Sequence, residues 1–385
     1  MTSPDVTRPD QTDSDAVQTQ ARQPVLPPDQ RVGYAVVGLG ELTEEQLYPA
    51  FSLSGQSRLC ALVTGNREKA REQAELLGLK PQDVYDYDHF EELKDRADVQ
   101  AVFIVLPNSL HREYTERAAR IGKHVLCEKP LSVSVADAEA MVAACEATGV
   151  LLMTAYRIQY APHHQAAREL IQGGTLGRIK LMTAVDVQTE PNEGQWRLKR
   201  DLAGGGSLLD VGLYCLNTTR YLSGEEPCEV FAYTHSTPGD PRFSEVEESV
   251  SFTLRFPSGL ISSNSCSYGT SKHRSLRVLG EKGNLSLDPA FDYTNLRLMV
   301  DTETEVRETL IKETDQFALE LDHFSGCILN GETPFTPGEE GLQDQRVMEA
   351  IYQSAREGRP VQLERLGGRD LFRGRKPARI ERERA

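Results

Sequence analysis

Apolar and polar positions divide the chain into two differently patterned regions. In residues 31–155, short unbroken apolar runs alternate with longer amphipathic stretches. RVGYAVVG from Arg31, then Arg58–Thr64, Val84–Tyr87, Val102–Leu106, Lys123–Cys127 and Leu151–Ala155, have the length and apolarity of strands buried on both faces. Between them the periodicity predicts helices at Glu44–Leu53, Asn66–Leu77, His89–Asp95, Leu110–Ile121 and Val135–Thr148, the last two closed by Gly122 and Gly149. Strand–helix repeats of this length predict a doubly wound parallel sheet, an α/β Rossmann domain, with ligands at the carboxyl ends of its strands.

Past Tyr160 the period changes. Ala161–Gln172 reads as a linking helix and Ile179–Gln188 as a strand. The stretch Ala203–Tyr221, AGGGSLLDVGLYCLNTTRY, runs from three glycines into an apolar helix. From there to about Val300 positions alternate: Val250, Phe252, Leu254 and Phe256 precede the turn Pro257-Ser258-Gly259. Leu276 and Val278, then Leu285 and Leu287, flank Gly280-Glu281-Lys282-Gly283 as in a hairpin. Helices follow at Asp315–Leu329 and Gly338–Arg356. This predicts a second, α+β C-terminal domain with a large, mostly antiparallel open sheet that has one face to cover. The expected organisation is an extended or disordered arm at 1–30, a nucleotide-binding Rossmann domain at 31–155, a substrate and oligomerisation domain at 156–365, and a mobile basic tail at 366–385.

Composition narrows the function. The 385 residues are 39% hydrophobic and 26% charged, with a formal charge of -15, which argues against nucleic acid as the main partner. The seven cysteines include no CxxC pair and read as isolated buried thiols, with no metal site expected. No apolar run approaches the roughly 20 residues of a membrane span. The first twenty residues have neither a basic start nor an apolar centre, and no twin-arginine signal, so a cytoplasmic location is expected.

The candidate chemistry sits where the strands end. Gly38-Leu39-Gly40 follows the first strand and precedes a helix, the arrangement that presents backbone amides and a helix dipole to a pyrophosphate. Thr43 stands where the third small residue of that fingerprint is expected. The second strand ends at Thr64-Gly65-Asn66-Arg67-Glu68-Lys69, with no acid at its tip to hold a ribose hydroxyl; a hydroxyl and two cations there favour NADP over NAD. Asn108, His111, Glu128, Lys129 and Arg157 gather at later strand ends. On the helix after the glycines, Asp210 and Tyr214 are four apart and share a face continued by Asn217 and Tyr221, while Leu209, Leu213 and Leu216 form a packing stripe.

With these residues in view, the chain resembles the glucose–fructose oxidoreductase (Gfo/Idh/MocA) family from about Arg31 to Pro360. The motifs that carry the resemblance are VVGLG, LVTGNREKA, LPNSLH, CEKP, QWRLKRDLAGGGSLLDVGLY and GEEGLQDQ. It implies Lys129 as catalytic lysine, Tyr214 as acid/base tyrosine in place of the histidine of many relatives, and Asp210 as the carboxylate orienting substrate. Trp196 and Arg197 would line the nicotinamide site, with Arg157 near the substrate. The expected cofactor contacts are Gly38, Gly40, Glu41 and Leu42 in the turn; Thr64, Gly65, Asn66, Arg67 and Lys69 after the second strand; Tyr87, Leu106, Pro107, Asn108 and His111; and Glu128, Lys129, Arg157, Trp196 and Arg197. An alcohol oxidised by hydride loss also loses a proton, and a lysine ammonium beside a tyrosine would help the phenol accept it. The implied activity is NADP-dependent oxidation of a cyclic aldose such as glucose to its lactone, and reduction of a second sugar such as fructose to an alditol. In this family the N-terminal arm covers the adenine of a tightly held NADP, and subunits pair into homodimers or homotetramers. Two alternatives stay open: a dehydrogenase for xylose, glucose or a polyol that exchanges NADP each turnover, and a non-catalytic sugar- or nucleotide-sensing regulator. Intact Lys129, Asp210 and Tyr214 count against the latter.

Overall fold

The structure, a computed structural model, describes residues 25–378. The first domain is built from β1 (Val32–Val37), α1 (Tyr48–Leu53, entered through a π-helical turn at Thr43–Leu47), β2 (Ser57–Val63), α2 (Arg67–Leu76), β3 (Val84–Tyr85), β4 (Ala101–Ile104), α3 (His111–Arg120), β5 (His124–Glu128), α4 (Val135–Thr148) and β6 (Leu152–Ala155). The strands form a parallel sheet in the order β3-β2-β1-β4-β5-β6. β1 and β4 are completely buried, as their unbroken apolar runs require, because helices cover both faces of the sheet. The predicted helix at His89–Asp95 is a pair of 3-10 turns over Tyr87–Asp95, anchored by Phe90 and Leu93.

The second domain continues with α5 (Arg157–Tyr160), α6 (Pro162–Gln172), β7 (Ile179–Thr189), α7 (Arg200–Ala203) and α8 (Leu213–Ser223), the last entered through a π-helical turn at Leu208–Gly212. Then come β8 (Glu229–His235), β9 (Ser249–Arg255), β10 (Ile261–Ser267), β11 (Gly269–Gly280), β12 (Gly283–Leu287), β13 (Leu298–Thr302), β14 (Val306–Thr309), α9 (Gln316–Asn330), α10 (Gly338–Glu357) and β15 (Val361–Gln362). Their nine-stranded sheet runs β14-β13-β12-β11-β7-β10-β9-β8-β15, antiparallel except for the β7–β10 pair. The hairpin predicted around Gly280–Gly283 pairs Leu276 with Leu287 and Val278 with Leu285. One face of the sheet packs on α8 and α10. The other leaves Leu181, Tyr233 and Ile261 exposed, at 45%, 65% and 38%.

α9 returns to the first domain: Phe317, Leu321 and Phe324 pack against β1 and α1, so one helix of the second domain completes a core of the first. No helix among the described residues is long and apolar enough to cross a membrane.

The described parts of both terminal segments are bonded to the body of the structure. Of the predicted arm, residues 1–24 lie outside the described residues; the remainder is tied down where the Leu26 N–H donates to the Gly55 carbonyl at 2.9 Å. The basic tail expected to be mobile from 366 is held against the second domain as far as Arg375. Arg373 is buried against Glu340, and the Arg375 N–H donates to the Thr333 carbonyl at 2.9 Å. Residues 379–385 lie outside the described residues.

Candidate active site

A cavity of about 750 Å³ opens between the sheet ends of the first domain and the β7/α8 face of the second. Its floor is the turn after β1. Gly38 has φ +101, and a Cβ there would lie 2.2 Å from the Val105 carbonyl oxygen, so only glycine fits. A Cβ on Gly40 would meet no protein atom, so the backbone at this point stands open to the cavity, beside Glu41 and Leu42. Thr43 is fully buried, and its hydroxyl donates to the Gly38 carbonyl at 2.8 Å. The bulkier residue in the glycine fingerprint is therefore used to brace the turn. An open glycine backbone followed by a helix suits a dinucleotide pyrophosphate.

The far end of this cavity carries Thr64 and Tyr87. The Tyr87 ring closes behind Gly65, where a Cβ would sit 3.2 Å from it. Asn66 caps α2 by accepting from the Lys69 N–H at 3.0 Å. Lys69 reaches back across the turn, its ammonium donating to the Leu39 carbonyl at 2.9 Å and pairing with Glu44. Arg67 instead turns to Asp86 at 3.2 Å and is half exposed. Of the two cations read from the sequence, Lys69 is the one laid against the phosphate turn.

Leu106, Pro107 and Asn108 line the next part of the cavity. The Asn108 amide also donates to the Ala203 carbonyl at 2.9 Å, linking the two domains at the site. His111 does not face the cavity. It is fully buried, its ring nitrogens 2.9 Å from the Pro130 and Leu106 carbonyls, so it fixes the loops that do. Burial holds its imidazole below the usual range. Glu128 lines the cavity too, and burial raises its carboxyl to about 7 against the pull of the neighbouring Lys129.

The chemical centre lies where β5 meets α8. The Lys129 ammonium donates to Asp210 Oδ1 at 2.7 Å and to the Asp210 carbonyl at 3.1 Å. It also lies 4.7 Å from the centroid of the Tyr214 ring. Burial depresses this lysine most, but Asp210, Tyr214 and Glu128 together outweigh it and hold the ammonium above its usual range. Burial pushes Asp210 up and Lys129 with Arg197 pull it down further, so the carboxylate stays ionised. Its second oxygen accepts from the Tyr268 hydroxyl at 2.8 Å and faces the Arg197 guanidinium at 3.4 Å. Asp210 is thus committed to orienting its protein neighbours. The π-helical turn at Leu208–Gly212 brings Asp210 and Tyr214 to the same cavity.

The glycines before this turn are sterically compelled. A Cβ at Gly205 would lie 2.2 Å from the Tyr352 hydroxyl, and one at Gly206 2.1 Å from the Glu247 carbonyl oxygen. The Glu247 carboxylate accepts from the Gly206 and Leu208 N–H groups at 2.9 and 3.0 Å, satisfying donors where the helix begins.

The phenol of Tyr214 has a partner that sequence reading placed nearby without pairing it. Arg157 Nε donates to the Tyr214 oxygen at 3.2 Å, while its two terminal nitrogens are held by Gln316 and the Phe291 carbonyl. Guanidinium only donates, so the phenol accepts here and its own hydrogen is left for the cavity. Phe291 stacks on the Tyr214 ring at 6.0 Å. Trp196 lines the mouth, with the Arg197 guanidinium over its ring at 4.7 Å.

Opposite stands a polar wall missed in the sequence: Gln188, Arg274, Tyr268 and Tyr293. Arg274 donates to Gln188 at 2.8 Å and to Asp186 at 3.0 Å, both on β7. Burial raises the Asp186 carboxyl to about 7 despite Arg274. These residues come from adjacent strands and loops of the large sheet, and only cross-strand register brings them together.

Comparison with known proteins places both domains in one family. Residues 32–156 match the family described as oxidoreductase family, NAD-binding Rossmann fold, and residues 168–363 its C-terminal alpha/beta domain. The chain is 32% identical over 343 residues to the D-xylose 1-dehydrogenase [NADP(+)] of Haloarcula marismortui, covering 87% of this chain and 94% of that protein. It is 32% identical over 277 residues to the 1,5-anhydro-D-fructose reductase of Ensifer adhaerens, covering 71% and 83%. Among solved structures, the aldose-aldose oxidoreductase of Caulobacter crescentus, complexed with glycerol, superposes with a TM-score of 0.85 at 43% identity, covering 86% of this chain and all of that one.

Proposed function

The chain belongs to this Gfo/Idh/MocA oxidoreductase family, and on that footing we propose that it is an NADP-dependent sugar oxidoreductase that oxidises a cyclic aldose to its lactone and reduces a second sugar with the same cofactor. The observation that carries the reading is one shared cavity. The open backbone at Gly40 and the side chains of Lys129, Asp210 and Tyr214 all line it. The relatives named as NADP-dependent and aldose-acting support the choice of cofactor and substrate class.

Bound there, NADP supplies hydride acceptance and donation. The residues that would hold it are Gly38, Gly40, Glu41 and Leu42 at the pyrophosphate, Thr64 and Lys69 toward the adenosine, and Leu106, Pro107 and Asn108 nearer the nicotinamide. The protein's own task is the proton. Tyr214, its own proton first released to solvent, takes it as phenolate from the anomeric hydroxyl of the aldose and, as phenol, returns it to the oxygen formed on reducing the second sugar. Arg157 fixes the phenol oxygen from behind. Lys129 spends two donor directions on Asp210, leaving its third for the reacting hydroxyl. Gln188, Arg274 and Tyr293 offer hydrogen bonds to the remaining hydroxyls. The exposed Leu181, Tyr233 and Ile261 on the large sheet support a homodimer closed across that face.

The test is a near-ultraviolet spectrum of the purified chain with no cofactor supplied. Growth of a reduced-nicotinamide band on adding glucose, bleached by fructose, is the expected result for retained NADP coupling two sugars. A second reading, a dehydrogenase with exchanging NADP, is favoured by the likeness to a D-xylose 1-dehydrogenase. It requires that the band grow with xylose or glucose only after NADP is added. No band under either condition would remove the sugar assignment.

A further inference from the structure

The face of α8 that begins with Tyr214 continues inward to Asn217 and Arg220, and there meets a buried charged cluster. Arg220 is fully buried. Its guanidinium pairs with Glu226 at 2.7 Å, Glu340 at 3.0 Å and Asp344 at 2.5 Å. Three carboxylates against one guanidinium would leave buried negative charge. The second cation is Arg373, from the C-terminal segment Gly368–Arg375, which donates to Glu340 Oε1 at 2.7 Å with its side chain 1% exposed.

Glu340 Oε1 is also the point where the two active-site elements meet. The Gln159 amide, two residues after Arg157, donates to it at 3.3 Å, and the Asn217 amide, one turn after Tyr214, at 3.2 Å. Gln159 and Asn217 are joined directly at 2.8 Å. The same two elements carry the Arg157–Tyr214 hydrogen bond at the cavity. The segment bearing Arg373 is clipped on both sides: the Asp370 N–H donates to the Gly224 carbonyl at the end of α8 at 2.9 Å, and the Gly374 N–H to the Pro334 carbonyl at 3.2 Å.

We propose that Arg373 is a positioning residue for the proton-transfer pair: by neutralising Glu340 it lets one carboxylate hold the Arg157 segment and the Tyr214 helix in register. Without it, the buried cluster keeps one cation for three carboxylates. It must then take up a proton or admit water, and either changes what Gln159 and Asn217 can bond. The inference rests on the reading of Tyr214 as proton carrier.

The test uses the full chain carrying Arg373→Ala or Arg373→Lys, assayed for aldose-dependent nucleotide reduction and for backbone hydrogen exchange. Arg373→Ala should lower kcat by about 10- to 100-fold, the scale of a small misplacement of reacting groups. The amount of NADP bound by the purified chain, set in the first domain, should not change. Added guanidinium ion should restore part of the loss by refilling the vacated site. Exchange should speed in Arg157–Tyr160 and Leu213–Ser223 together. Arg373→Lys keeps the charge but loses the fork that also reaches Asp370 at 3.4 Å, and should fall about threefold to tenfold. If alanine prevents folding, lysine decides. A kcat and exchange pattern equal to the parent's, or a loss of kcat with no change of exchange in those two segments, would overturn the proposal. A parent chain inert towards aldoses would fail the functional reading alone, and the exchange measurements would still decide on Arg373.

Discussion

Lys129 Nζ lies 2.7 Å from Asp210 Oδ1 and 4.7 Å from the centroid of the Tyr214 ring, so one ammonium joins the carboxylate and the phenol of the same helical face. Tyr214→Phe removes only the hydroxyl and leaves the ring between Lys129 and Phe291. Its kcat should drop by about 10²- to 10⁴-fold, the usual worth of a positioned acid/base group. NADP binding, measured by fluorescence titration, should be unchanged. Lys129→Met should lose as much and also leave Asp210 facing Arg197 and Tyr268 alone. Full turnover in Tyr214→Phe would move the proton to another group.

Asp210→Asn tests the electrostatic half of that relationship through pH. Burial depresses the Lys129 ammonium, and Asp210, with Tyr214 and Glu128, raises it above its usual range. Taking the charge away leaves burial to act, so Lys129 loses its proton at a lower pH than in the parent. A Lys129 limb of kcat/KM, absent from the parent below about pH 10, should therefore move down into the range of about pH 7 to 10 in Asp210→Asn. Asp210→Glu, which keeps the charge, should leave the limb near the parent's. An unmoved limb in the asparagine variant would separate Lys129 from the pH dependence of the reaction.

Local pattern made the first domain readable. Val135–Thr148 is a helix with the predicted bounds, and each predicted strand there lies within a few residues of the observed one, because burial on both faces leaves an unbroken apolar signature. The residues at strand ends were readable for the same reason: topology gathers them. What was not readable depends on partners distant in sequence. His111 reads as a cofactor contact by its place at a strand end, yet its ring is buried with a carbonyl 2.9 Å from each nitrogen, one of which takes its N–H. The polar wall of Gln188, Arg274 and Tyr293 is assembled by the pairing of β7 with β11 and by the loop after β12. The tail reads as a solvated basic stretch, and its ordering comes from Glu340 and Asp344 on α10, whose charges need a cation that α8 supplies only once.

Coenzyme choice can be separated at the adenosine end. Lys69 lies against the Leu39 carbonyl at the phosphate turn, whereas Arg67 is occupied by Asp86. Lys69→Ala should raise the Kd for NADP by about tenfold or more, the loss of one charge-assisted contact to a 2′-phosphate, and leave that for NAD nearly unchanged. Arg67→Ala should have the smaller effect. Isothermal titration with both nucleotides checks this, and an equal loss for NAD and NADP in Lys69→Ala would place its role in the turn itself.

Glu320 on α9 gives a stability prediction away from the chemistry. Its side chain is fully buried, and neither carboxyl oxygen has a hydrogen-bond partner among the described residues. Burial, reinforced by the Glu128 charge, raises its carboxyl well above the ordinary range. The folded chain then keeps a proton that the unfolded chain releases above about pH 4.3. Folding binds more protons than unfolding leaves bound, so this group costs stability as pH rises from there. The slope is at most about 1.4 kcal/mol per pH unit until the folded group ionises. Glu320→Gln removes the titration and keeps the shape. Its urea midpoint should exceed the parent's by more at pH 8 than at pH 5, and a constant difference between the two would show that Glu320 is not the group that stays protonated.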